Sequence, residues 1–176
     1  ALAGGEMEGS PGAWGGWTRQ VLRGESPVFG EKGTSTRTGW DSHNYIALGV
    51  DSAGHLHVVG NLHCDPLLYF RTTRAGDVTS MERLDRMTGD REAQETYPRF
   101  FHGPGGELVF SYRDGWSGNG ADLYNVYDVG SRSWKRLLGT PLTDGRTRDA
   151  KGRTAYAYMR GPTLGPDGRY HAVWVW

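Results

Sequence analysis

Three times this chain builds a turn on glycine and runs directly into an alternating strand. Gly49-Val-Asp-Ser-Ala-Gly54 leads into His55-Leu-His-Val-Val59. His102-Gly-Pro-Gly-Gly106 leads into Glu107-Leu-Val-Phe-Ser-Tyr-Arg113. Leu164-Gly-Pro-Asp-Gly168 leads into Arg169-Tyr-His-Ala-Val-Trp174. Glycine supplies the backbone freedom a tight turn demands, and alternation with period two marks a strand with one face covered. The turn glycines Gly54, Gly106 and Gly168 lie 52 and 62 residues apart. A spacing near ~50 residues is that of propeller blades with enlarged loops. Further strand patterns, Leu67–Thr72, Ala121–Tyr127 and Ser133–Leu137, fill the intervals. The expectation is an all-β chain whose residues 40–176 form successive antiparallel sheets around an axis, a partial β-propeller. A small two-sheet sandwich is the alternative.

Composition supports the class. Twenty-eight Gly and 8 Pro break the chain into short apolar runs, and long amphipathic helical patterns are missing. Residues 1–39 form a separate, loop-rich segment with Trp14, Trp17 and one candidate strand, Trp17–Leu22. A closed propeller takes ~4–8 blades, whereas about three are legible here, and the last residues, His171–Trp176, read as mid-strand. The expectation is therefore the N-terminal part of a larger propeller, a monomer once complete. Twenty basic residues balance twenty acidic ones, which argues against a nucleic-acid-coating surface; the 36% hydrophobic content holds no run long enough to span a membrane. Cys64 is the only cysteine, so no intrachain disulfide forms. The opening Ala1-Leu2-Ala3 resembles the small-residue end of a cleaved export signal, which points to a secreted or periplasmic protein.

Chemistry-bearing side chains gather at the ends of two hairpins. His43 precedes the strand Tyr45–Val50 and His63 follows the return strand, so one hairpin brings both imidazoles to one sheet edge. Tyr97 and Arg113 flank a second strand–turn–strand in the same way. Adjacent blades would put all four on one face. Two His, a Tyr and an Arg suit β-elimination from a uronic acid. Cations neutralise the carboxylate so that the C5 proton becomes acidic, a base removes that proton, and an acid protonates the departing O4. A Tyr near cations can serve as base and acid, and His can be the base. The chemistry requires no metal. A structural metal is left open; Cys64 beside His63 supplies only two ligand types, and a small buried residue is the better reading of Cys64. His55 and His57 alternate with Leu56 and Val58 and read as solvent-facing or structural. Pro98 favours an extended Tyr97. The substrate-binding candidates are His63, Asn61, Asn119, Arg160 and Trp116; a turn for Asn119, an ion pair for Arg160 and blade packing for Trp116 are the plainer roles. A non-catalytic glycan-binding propeller is the main alternative function. A sialidase-like hydrolase ranks last, because no Ser-x-Asp-x-Gly-x-x-Trp box occurs.

Four segments carry a family resemblance: His43–His63, Glu95–Phe100, Phe110–Gly120 and Tyr158–Pro162. In this order they resemble the BNR-4 repeat proteins, and through them the seven-bladed propeller lyases of ulvan and related rhamnose–glucuronate polysaccharides. The resemblance spans roughly residues 40–176. It implies that these are the N-terminal three or so blades of seven, that His43, Tyr97 and Arg113 are catalytic, that His63 is a second site histidine, and that the partner is an acidic polysaccharide.

Overall fold

The computed structural model describes residues 25–26, 33–34, 43, 45–148, 150–153 and 157–175. The candidate strand Trp17–Leu22 lies outside them. A short ladder pairs β1 (Glu25–Ser26) with β2 (Gly33–Thr34).

Two four-stranded antiparallel meanders follow, each the unit of a propeller blade. The first is β3 (Tyr45–Val50), β4 (Leu56–Asp65), β5 (Tyr69–Thr72) and β6 (Met81–Leu84), each paired with the next. The second is β7 (Glu95–His102), β8 (Leu108–Trp116), β9 (Asn119–Asp128) and β10 (Ser133–Arg136), paired in the same order. A third unit contributes the hairpin β11 (Tyr158–Leu164) with β12 (Tyr170–Val175). The glycine turns fall where the repeat places them, between β3 and β4, β7 and β8, and β11 and β12. Gly54, Gly106 and Gly168 have φ of 83°, 81° and 73°, the left-handed region that glycine enters at no steric cost. The described residues contain no α-helix, and no helix is long and apolar enough to cross a membrane.

The blades are sealed by a core of Val59, Leu62, Tyr69, Phe70, Leu108, Phe110, Tyr112, Leu123, Tyr127 and Trp134. Burying each large side chain contributes roughly 1.5–3 kcal/mol. On β3 the small residues face inward. Ala47 is buried while Ile46 and Leu48 are exposed, and a Cβ on Gly49 would come within 2.7 Å of Phe100. The neighbouring blade's aromatic ring fills the space that a larger side chain would need.

A polar network is buried in the same core. His57 is wholly inaccessible; its Nε2 lies 3.2 Å from Asp51 Oδ2 and its Nδ1 2.7 Å from the Tyr69 hydroxyl, whose oxygen accepts from Trp134 Nε1 at 3.1 Å. Of the two readings open for His57, the structural one holds. His55 is half-buried, with Nδ1 2.9 Å from Thr72 O.

The two blades meet through their own ladder. The C-terminal end of β4 pairs with the start of β7, His63 opposite Thr96 and Asp65 opposite Glu95. This junction positions the candidate site.

Candidate active site at the junction of two blades

Both strands of the junction are bulged there. The β4 register shifts between His63 and Asp65, and Cys64 takes φ of 62°. The β7 register shifts between Thr96 and Arg99, and Tyr97 takes φ of 56°. Bulges re-aim side chains, and a bulky residue in the left-handed region stores about 1–3 kcal/mol of strain. The extended Tyr97 expected from Pro98 is therefore not found. The extra residue of the bulge turns Tyr97 out of the ladder, toward the imidazoles.

The rings converge. His43 and His63 stack with centroids 4.5 Å apart and planes 21° from parallel. Tyr97 meets His43 edge-on at 5.9 Å, and the Arg113 guanidinium lies 4.8 Å from the Tyr97 ring centroid. The four side chains thus form one contiguous cluster, His63–His43–Tyr97–Arg113.

Arg113 departs from its expected place on the rim. It sits on β8 opposite Thr96 and is 1% exposed, under the Tyr97 ring and with Nη2 3.8 Å from Cys64 Sγ. Its aliphatic stem runs over Gly120. A Cβ there would lie 2.6 Å from both Cγ and Cδ of Arg113, so the absence of a side chain at 120 admits the arginine.

The remaining candidates lie around this centre. Trp116 is 52% exposed at the end of β8, and Asn119 is exposed where β9 begins. The Ser117 hydroxyl of the same turn bonds the Tyr158 hydroxyl, which fastens the turn to β11. Asn61 lies within β4 and Arg160 within β11, with side chains outside the description. A cavity of about 30 Å³ adjoins the cluster, lined by Tyr97, Arg99, Arg113, Asp122, Tyr124 and Tyr158 among others. It has room for roughly one water.

Beneath the cluster the ladder aligns three carboxyl residues, Asp65, Glu95 and Asp114, on adjacent strands. Asp114 is held by Arg91 at 2.7 Å and Arg146 at 3.0 Å. Glu95 is fully buried, and neither carboxyl oxygen has a hydrogen-bond partner. Burial pushes its pKa well above the usual carboxylate range, Glu92 and Asp114 push it further, and Arg136 opposes them.

Two contributors, Tyr45 and Thr96, carry no mark in residue-type reasoning, and Cys64 takes a different part from the one its type suggests. Tyr45 is half exposed with its ring 5.9 Å from Tyr97; its place two residues after His43 was the available signal. Thr96 and Cys64 hold the two bulges together through Cys64 N–H donating to Thr96 Oγ1 at 2.7 Å. Cys64 is half-buried, its thiol donating to Gly115 O at 3.3 Å. Among the described residues no three His, Cys, Asp or Glu gather as metal ligands.

The four-stranded meanders make this a propeller-type chain, with paired imidazoles, a phenol and a buried guanidinium gathered where two blades meet. The sequence profile described as a BNR repeat-containing family member matches residues 13–176, and the chain belongs to that family. No curated protein matches it. Among solved structures it is similar to one titled the crystal structure of polysaccharide lyase Uly1, with TM-score 0.49 and 20% identity, over 54% of this chain and 28% of that one. The chain thus corresponds to under a third of that lyase's length.

Proposed function

We propose that this rim takes a uronic-acid-containing polysaccharide of the ulvan type and cleaves it by β-elimination. The observation that carries the reading is the cluster itself: a phenol 5.9 Å from one imidazole and 4.8 Å from a guanidinium, with a second imidazole stacked at 4.5 Å on the first. This set matches the demands of the reaction. The base removes the C5 proton, the electron pair forms the C4=C5 bond, the C4–O4 bond breaks, and O4 leaves with a proton. If Tyr97 does both jobs, its phenolate takes the C5 proton and the phenol returns one to O4. If His43 is the base, Tyr97 gives O4 its proton and solvent restores both groups. Arg113 and His63 offset the charge that builds on the carboxylate. In the present arrangement Arg113 acts from beneath the phenol, and a bidentate grip on the carboxylate follows only when the Tyr97 ring moves aside. Asn61, Asn119, Arg160 and Trp116 hold neighbouring sugars, and a polymer substrate suits an exported protein.

The test is incubation of the full-length protein with ulvan and other uronate polymers, followed by the ultraviolet absorbance of the unsaturated uronate product. Release of that product is the expected result. Trp116, 52% exposed beside the rim, favours the second reading, a glycan-binding propeller. Polymer binding without absorbance would select it, and neither binding nor absorbance would end both.

A further inference from the structure

We propose that Thr96 is a positioning residue: its hydroxyl clasps the two bulges and thereby sets His63, Tyr97 and Arg113 relative to one another. The inference rests on the lyase reading for its catalytic consequence, and on geometry alone for the clasp.

An extra residue in a bulge loses its place in the ladder, and its buried N–H needs another acceptor. Cys64 is that residue in β4. Its N–H donates to Thr96 Oγ1 at 2.7 Å, and the hydroxyl lies 3.5 Å from Cys64 Sγ, within reach as donor. Thr96 is wholly buried, so water does not compete for the bond. The thiol extends the link to β8, donating to Gly115 O at 3.3 Å and lying 3.8 Å from Arg113 Nη2. The hydroxyl therefore joins β7 to β4, and the Cys64 thiol carries the link on to β8. The covalent neighbours explain why this matters. His63 precedes Cys64, Tyr97 follows Thr96, and Arg113 stands opposite Thr96 in the β7–β8 ladder. The two left-handed residues, Cys64 and Tyr97, are the strained points that such a clasp must hold. Valine has the shape of threonine without the oxygen, and serine keeps the oxygen without the methyl, so the pair separates hydrogen bonding from packing.

The experiment compares wild type, Thr96→Val and Thr96→Ser in the full-length protein. Three quantities are read: amide exchange at Cys64, the NMR shifts of the His43 and His63 ring protons, and kcat and KM on a uronate polymer. Thr96→Val should speed Cys64 exchange by about tenfold, move the imidazole shifts as the ring stack loosens, and lower kcat by about 10²-fold with KM little changed. Thr96→Ser should restore all three. A folded Thr96→Val protein with unchanged exchange and ring shifts overturns the clasp. Altered shifts with wild-type kcat overturn the positioning role. If Thr96→Val does not fold, wild type and Thr96→Ser decide: a Cys64 amide exchanging as fast as an exposed loop in wild type overturns the clasp, and slow exchange in both proteins upholds it. If wild type cleaves no uronate polymer, the lyase reading falls while exchange and ring shifts still judge the clasp.

Discussion

Acid should destabilise this protein through His57, whose imidazole is buried in its neutral form. The hydrogen-bond network fixes the neutral ring. Trp134 Nε1 donates to the Tyr69 oxygen, so the Tyr69 proton is directed at His57 Nδ1, and Nε2–H is left to donate to Asp51. Protonating Nδ1 would set two protons against each other across 2.7 Å. Burial lowers the His57 pKa from 6.5 to about 4, against the opposing pull of Asp51. The sign follows from linkage. The folded pKa lies below the unfolded one, so the unfolded chain binds the proton first, and stability falls as pH drops from about 6.5 to about 4. That interval of roughly 2.5 pH units, at about 1.4 kcal/mol per unit, amounts to about 3.5 kcal/mol. Urea denaturation followed by tryptophan fluorescence at stepped pH measures it. His57→Gln keeps a hydrogen-bonding side chain but not the titration, so its stability should be lower at neutral pH and nearly flat across the same window. Parallel wild-type and His57→Gln curves would refute the reasoning. The result also governs how an acid limb in polymer cleavage is read, because unfolding and site titration would overlap there.

Glu95 works in the opposite direction. Its raised folded pKa means that stability is present below the ordinary carboxylate pKa of 4.5 and lost as pH rises through the folded value, so Glu95→Gln should flatten the alkaline side of the stability profile, as read by denaturation between pH 4 and pH 9. Tyr97→Phe should lower turnover by about 10²–10⁴-fold while leaving polymer binding nearly intact; full activity in that variant would sink the lyase mechanism. His43→Ala should be as severe as Tyr97→Phe if His43 is the base and milder if Tyr97 serves as base and acid, which single-turnover rates distinguish. Gly120→Ala places a Cβ 2.6 Å from the Arg113 stem, so it should displace the guanidinium and cut kcat by about 10²-fold, an effect absent if Arg113 has no part in the reaction.

The blades were legible because their cause is local. A glycine turn followed by alternation dictates a hairpin whatever surrounds it, and β3–β4, β7–β8 and β11–β12 all fall on that pattern. The outer strand β6 was not legible, because Met81-Glu-Arg-Leu84 alternates too weakly and is recruited by pairing with β5. The cluster proposed as the site was legible as a set of residue types at hairpin ends. Its internal order was not. Ladder geometry alone would extend Tyr97 and leave Arg113 at the rim, whereas the structure turns Tyr97 outward at a bulge and buries Arg113 below it. A bulge has no reliable sequence mark when its residues are Cys64 and Tyr97 rather than glycine, since the left-handed backbone is imposed by the neighbouring strand. Gly120 is the exception that shows how such information can be carried. Its lack of a side chain looks like turn chemistry beside Gly118 and Asn119, yet what it accommodates is the stem of Arg113 from the adjacent strand. The placement of the cation beneath the phenol therefore depends on Gly120, a residue of the adjacent strand that only the folded ladder brings against Arg113.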